Sequence, residues 1–161
     1  LYYKYLLVLL GDADYERHLR NLVASAGLGQ IVVFTGHETE MATVYNGIDV
    51  VVSASIKPEP LGTVVIEAMA IGRPLIGPNH GGAAEMAEHE ATALLFEPGN
   101  ADDLARCILR LHEEPALAAR LGAAARKKAL HTFAVAEHVR NVQAVYDRVL
   151  HSSMPPAREG P

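Results

Sequence analysis

Short apolar runs alternate along this chain with longer stretches whose apolar residues recur every three or four positions. Runs of that kind suit buried strands, and the periodic stretches suit amphipathic helices. Their strict alternation is the pattern of a parallel sheet with helical crossovers. It predicts strands at 5–10, 31–34, 49–52, 74–76 and 93–96, with helices at 14–26, 38–46, 63–71 and 82–88. Glycines punctuate the pattern: Gly11 ends the first strand, Gly27 follows the first helix, and Gly72 sits where a left-handed helix cap belongs. After Pro98 and Gly99 the chain becomes wholly helical, at 101–112, 115–130 and 134–150. Asn100 or Asp102 can cap the first of these helices, and Pro115 suits a first helical turn. In the last helix Val139, Val142, Val145, Tyr146 and Val149 form a stripe expected to pack on the domain rather than on a partner, with part of it left exposed. The expected architecture is a Rossmann-like α/β/α domain over 1–150 with extra C-terminal helices, then an unordered tail at 151–161.

Composition narrows the class. The chain has 161 residues, half of them hydrophobic and 20% charged, which suits a folded domain and argues against disorder. A net charge of −5 gives no reason to expect nucleic acid as partner. The lone Cys107 cannot form an internal disulfide, so a reducing, cytoplasmic setting and a buried structural role are expected. The apolar stretch 1–10 is shorter than the roughly 20 residues a membrane-spanning helix needs. No cleavage site follows it before Asp12 and Asp14, so it does not read as a signal peptide. A chain that opens on leucine and enters a strand at once reads as part of something larger. Arg126-Lys127-Lys128 reads as a solvated helix face, with a membrane-surface role the weaker alternative.

The chemistry concentrates in the irregular segment 53–62 and the helix after it. Gly62 lets a ligand approach the backbone closely, and the N–H groups of Thr63, Val64 and Val65 open a helix and lack intrahelical partners. Together with the positive end of the helix dipole they suit an anion. Glu67 lies on the same face as Thr63, one turn on, and a carboxylate there suits the vicinal hydroxyls of a ribose. Glu59, ahead of the helix, can take hexose hydroxyls on the other side of a diphosphate. Either glutamate alone would ordinarily be a solvated surface residue; the pair, placed around a glycine and a helix start, points to a nucleotide sugar. Asp12-Ala13-Asp14 resembles a metal-binding pair of carboxylates, but its place before a helix favours capping. The eight histidines show no ligand spacing.

The segment from Glu59 to Ala70, followed by Gly72-Arg73-Pro74, resembles the E-x7-E signature of retaining glycosyltransferases of the GT-B fold, family 4. His80-Gly81-Gly82-Ala83-Ala84-Glu85 is similar to that family's G-G-x-x-E stretch, and the turn at 94–100 to its Pro-Gly-Asp turn, with Asn100 in place of the aspartate. Segments 7–12 and 32–36 resemble two earlier strands with their terminal glycines, so the likeness covers most of 5–150. It implies the C-terminal, donor-binding half of such an enzyme. Glu59 would be the catalytic carboxylate beside the donor sugar, and Glu67 would hold the ribose. The backbone of Leu61, Gly62, Thr63 and Val64 would contact sugar and diphosphate, and Gly36 with His37 would border the base. The donor is a nucleotide-diphosphate sugar; the resemblance implies no metal and no other cofactor, and leaves base, sugar and acceptor undetermined.

The same pattern carries a strand ending in Gly-Arg and a following Lys-Gly, as well as an acceptor-binding N-terminal domain, none of which is present in these residues. The expectation is that the chain alone transfers no sugar. Without that strand, which the pattern places between those at 5–10 and 49–52, the expectation is a gapped sheet, a rearrangement, or pairing with another molecule. Two other classes share parts of this pattern. A sugar-nucleotide 2-epimerase would use the same ligand for acid–base chemistry. A non-catalytic response-regulator-like α/β module would need an acidic pocket, for which Asp12 and Asp49 make no credible pair.

Overall fold

The computed structural model describes residues 5–7, 13–36 and 38–152. These belong to two compact units, Leu1–Ile48 and Asp49–Pro161. Their five strands form one two-stranded and one three-stranded sheet, both parallel, and among the described residues no ladder runs through all five.

The first unit holds β1 (Tyr5–Leu7), α1 (Ala13–Ser25), β2 (Val32–Phe34) and α2 (Met41–Gly47). Tyr5 pairs with Val32 and Leu7 with Phe34. The predicted strand positions 8–10, and Gly11 and Asp12, lie outside the described residues. Asp14 occupies the first turn of α1 and forms an exposed ion pair with Arg17 at 3.0 Å. The Arg20 guanidinium lies over the Phe34 ring, 4.3 Å from its centroid, which ties α1 to β2. Helix α2 begins three residues later than its periodicity predicts. Glu40 takes a non-helical conformation, φ −96° and ψ 63°, and its carbonyl accepts the Thr43 N–H at 2.9 Å, so the first turn can only start after it.

The second unit runs β3 (Val51–Val52), α3 (Thr63–Ile71), β4 (Leu75–Pro78), α4 (Gly81–Met86), β5 (Leu94–Phe96), α5 (Ala101–Glu113), α6 (Pro115–Thr132) and α7 (Val135–Ser152). The strand order is β3-β4-β5, and β3 pairs with β4 alone among the described residues. All four residues of β4 are buried, as a central parallel strand requires. β5 is an edge, and side chains cover its backbone: His89 Nδ1 accepts the Leu95 N–H at 2.9 Å and Asp103 accepts the Glu97 N–H at 2.7 Å. That backbone hydrogen bond, with help from Arg106, holds the Asp103 carboxyl below its usual range.

One core joins Ile76, Leu94 and Phe96 of the sheet to Cys107 and Leu111 of α5 and to Leu117 and Leu121 of α6. Fully buried aliphatic side chains such as Leu75, Ile76, Leu94 and Leu121 each contribute about 1.5–3 kcal/mol. Burial also raises the Cys107 thiol above its ordinary pKa, which makes it an inert packing residue. Asn100 is the residue that caps α5, its side chain accepting the Asp103 N–H at 3.0 Å. Pro115 opens α6 as expected.

Among the described residues most of the α7 stripe is left exposed rather than packed on the domain. Val139, Val145, Tyr146 and Val149 are 48%, 55%, 66% and 56% exposed, because the core is already closed by α5 and α6. The basic run on α6 is no simple solvated face either. Arg126 donates to the Ala70 carbonyl at 2.6 Å and Lys128 pairs with Glu88 at 2.6 Å. Two of its three cations are therefore used inside the fold. The tail beyond residue 152 lies outside the described residues.

Candidate functional site

The segment from Ser53 to Gly62 leaves β3 and reaches α3 without regular structure of its own. It is pinned to the second unit at intervals. The Ser53 N–H donates to the Ile76 carbonyl at 2.9 Å, continuing the sheet ladder by one bond. Further on, the Gly82 N–H donates to the Glu59 carbonyl at 2.9 Å. Gly81 and Gly82 make that crossing possible. A Cβ on Gly81, whose φ is +55°, would stand 2.9 Å from the Glu59 carbonyl oxygen, and one on Gly82 would stand 3.1 Å from that of Pro60. The paired glycines therefore serve the loop lying across them as well as the turn into α4.

Glu59 is exposed, and the Ser55 hydroxyl donates to its Oε1. Its Oε2 lies 3.8 Å from the point a Cβ on Gly62 would occupy, so the carboxylate stands over the entrance to α3. Gly62 is buried, Thr63 exposed and Val64 half-buried. The N–H groups of Thr63 and Val64 make no hydrogen bond among the described residues, whereas that of Val65 is taken by the Gly62 carbonyl at 2.9 Å. The expected triplet of free donors is thus a pair. A tight first turn folds the third donor back on the cap residue, as i-to-i+3 bonds at helix ends often do. Glu67 is exposed on α3, four residues past Thr63 and on the same side of the helix. Leu61 is 61% exposed at the lip of the segment.

Ser53, Ser55, Glu59, Gly62 and His80 line a small depression beside this turn. Its closed part, about 10 Å³, holds about one water, so a larger ligand would lie on its open side. His80 places Nε2 3.0 Å from the Ile56 carbonyl oxygen, while its Nδ1 is buried and without a partner among the described residues. The structure therefore brings Glu59, Leu61, Gly62, Thr63, Val64 and Glu67 onto one loop and the first turns of one helix. Gly36 lies two residues after β2 in the first unit with φ +75°, and His37 lies outside the described residues. Among the described residues no cluster of three or more histidine, cysteine or acidic side chains could hold a metal ion. No helix there is long and apolar enough to cross a membrane.

Sequence patterning did not single out Ser55. Segment 53–62 has no periodicity to mark an inward position, and a serine four residues before a glutamate is a common coincidence in loops.

Residues 1–128 match the family model described as glycosyl transferases group 1. The chain belongs to that family. Among its relatives, the lipopolysaccharide core biosynthesis glycosyltransferase LpsD of Rhizobium meliloti is 36% identical over 117 residues, covering 73% of this chain and 34% of LpsD. Among solved structures, the Anabaena protein HepE in complex with UDP superposes with a TM-score of 0.85 and 29% identity, over 91% of this chain and 41% of HepE. HepE has also been solved with UDP-glucose. Sucrose-phosphate synthase of Thermosynechococcus elongatus gives a TM-score of 0.82 and 32% identity, over 92% of this chain and 39% of that one. This glycosyltransferase-family chain spans between 26% and 38% of the first curated relatives it matches. Its fold is the Rossmann-like α/β fold of the C-terminal half of GT-B enzymes.

Proposed function

We propose that this chain is the donor-binding part of a retaining glycosyltransferase that moves a hexosyl group from a nucleotide-diphosphate sugar to an acceptor. The observation that carries the reading is the start of α3. Two unbonded N–H groups, of Thr63 and Val64, open the helix beside the buried Gly62, with the Glu59 carboxylate standing over them. A diphosphate accepts from those N–H groups and gains from the helix dipole. Glu59 then meets hydroxyls of the hexose on one side, and Glu67 those of the ribose on the other. Developing charge on the departing diphosphate meets fixed backbone donors, which is electrostatic stabilisation that asks for no reorganisation. The leaving phosphate takes up the acceptor's proton in a front-face displacement, which retains configuration.

Gly36 and His37 border the base in this reading, and no metal takes part. The acceptor site and the cations that neutralise the diphosphate come from polypeptide outside these residues, so the isolated chain transfers no sugar. A reducing, cytoplasmic setting fits the single buried cysteine. The UDP and UDP-glucose complexes of HepE make UDP the first nucleoside diphosphate and UDP-glucose the first donor to try.

The test is calorimetric titration of the full-length polypeptide carrying this chain with UDP, GDP and their hexose conjugates. Glu67→Ala should weaken binding of the nucleoside diphosphate by about 1.5–3 kcal/mol, the loss of a charged hydrogen bond. Unchanged affinity would remove Glu67 from the site, and no binding by any member of the panel would remove the reading.

A further inference from the structure

We infer that His80 is a positioning residue for Glu59, acting through the Ile56 carbonyl and the Ser55 hydroxyl. The inference rests on the donor-site reading above and names what aims the carboxylate in that site. Residues 54–58 have no regular structure, and among the described residues two hydrogen bonds leave them: Ser55 to the nearby Glu59, and His80 Nε2 to the Ile56 carbonyl at 3.0 Å, which reaches across to another segment. A carbonyl oxygen only accepts, so Nε2 carries the hydrogen and Nδ1 of a neutral ring keeps a lone pair. That lone pair is buried and meets no donor among the described residues. The polar work of the ring is therefore directed at one peptide of the loop.

That peptide adjoins Ser55, whose hydroxyl donates to Glu59 Oε1. Anchoring Ile56 fixes where the Ser55 hydroxyl stands, and the hydroxyl in turn fixes the rotamer of a carboxylate that is otherwise exposed. The main chain of Glu59 is held separately, by the Gly82 N–H at 2.9 Å. Backbone placement and side-chain aim thus have different sources. Losing the His80 bond should leave Glu59 over α3 but let its carboxylate wander. A carboxylate that must meet sugar hydroxyls loses affinity when its geometry is no longer set in advance. The hydrogen bonds of Ser55 and His80 run to Glu59 and to the Ile56 carbonyl, on the sugar side of the site.

The prediction separates the two sides. His80→Gln keeps an N–H donor at the reach of Nε2, whereas His80→Asn is too short to meet the Ile56 carbonyl. In the full-length polypeptide, affinities for UDP and UDP-glucose, and for GDP and GDP-mannose, are measured by calorimetry, using whichever pair the wild type binds. His80→Asn should lower the preference for the sugar nucleotide over the nucleoside diphosphate roughly tenfold, about one hydrogen bond to a charged group. Its affinity for the nucleoside diphosphate should stay within about twofold, and His80→Gln should restore the preference. Ser55→Ala should reproduce the selective loss and serves where His80→Asn does not fold. A variant that binds the nucleoside diphosphate normally and keeps the full preference for the sugar overturns the inference and leaves the donor site standing. A glutamine variant that behaves like the asparagine one also overturns it. A wild type that binds neither pair overturns the donor-site reading, and the positioning role with it.

Discussion

The two ends of α3 are built to opposite specifications. At its start, Gly62 offers no capping side chain, the N–H groups of Thr63 and Val64 are unbonded, and Thr63 faces solvent. At its end the carbonyls of Ala68, Met69 and Ala70 are all engaged. Gly72, at φ +82°, donates its N–H to the Ala68 and Met69 carbonyls, Arg73 donates to Ala68, and Arg126 of α6 donates to Ala70. Gly122 of α6 comes so close to this end that a Cβ there would lie 2.3 Å from the Gly72 carbonyl oxygen. Between the two ends Val65, Ala68 and Met69 are fully buried. The contrast teaches that a helix can leave one end unsatisfied for a ligand when packing and capping at the other hold it in place. Capping the open end as well would add stability and fill the place an anion needs.

The largest test of that division is Gly122→Ala. The new methyl must push α6 off the end of α3, at a cost of about 1–3 kcal/mol, read as a lowered urea midpoint or Tm. The two ends are about 12 Å apart along the helix, so nucleotide affinity of the folded variant should change little. A collapse of affinity in a variant that remains folded would show that the packed end tunes the open one. Arg126→Ala is the milder cut. It removes the bond to Ala70 and the stem lying against Gly72, and should cost about 1 kcal/mol in chemical unfolding. No measurable loss would assign the hold on this end to the glycines alone.

The smallest effect concerns the fold behind the helix, where Lys128 pairs with Glu88. The hydrogen bond from Lys128, then its charge, lowers the Glu88 pKa from the ordinary 4.5. A lowered carboxylate pKa adds stability above the unfolded value, and that stability is lost as pH falls through the folded one. The Tm difference between wild type and Lys128→Met should therefore be widest above pH 4.5 and shrink progressively below it. A difference that does not change with pH would make the contact one of packing alone.

Much of this was legible before any coordinates. The element order, the Gly72 cap, the Pro115 first turn and the burial of Cys107 follow from periodicity and local chemistry, and all appear as expected. Boundaries moved where a single residue departs from its neighbours' conformation, as Glu40 does ahead of α2. The candidate carboxylates were legible because one lies on a helix face and the other beside its glycine. Ser55 was not, since a serine four residues before a glutamate carries no signal in an aperiodic loop, nor was the engaged nitrogen of His80, whose partner Ile56 lies 24 residues away. The extent of the exposure of the α7 stripe was only partly legible. Periodicity marks an apolar face, but whether anything covers it depends on which elements reach the core first.

By itself, then, the sequence determined the class of the fold, the family, and the run of residues from Glu59 to Glu67 in which the chemistry is written. Those depend on local spacing, and the chain reads them out one turn at a time. Tertiary structure alone decided which amides of α3 stay free, why Gly81 and Gly82 must be bare, and what holds the Glu59 loop. These are matters of ångström-scale approach between segments distant along the chain, and no local pattern encodes such distances.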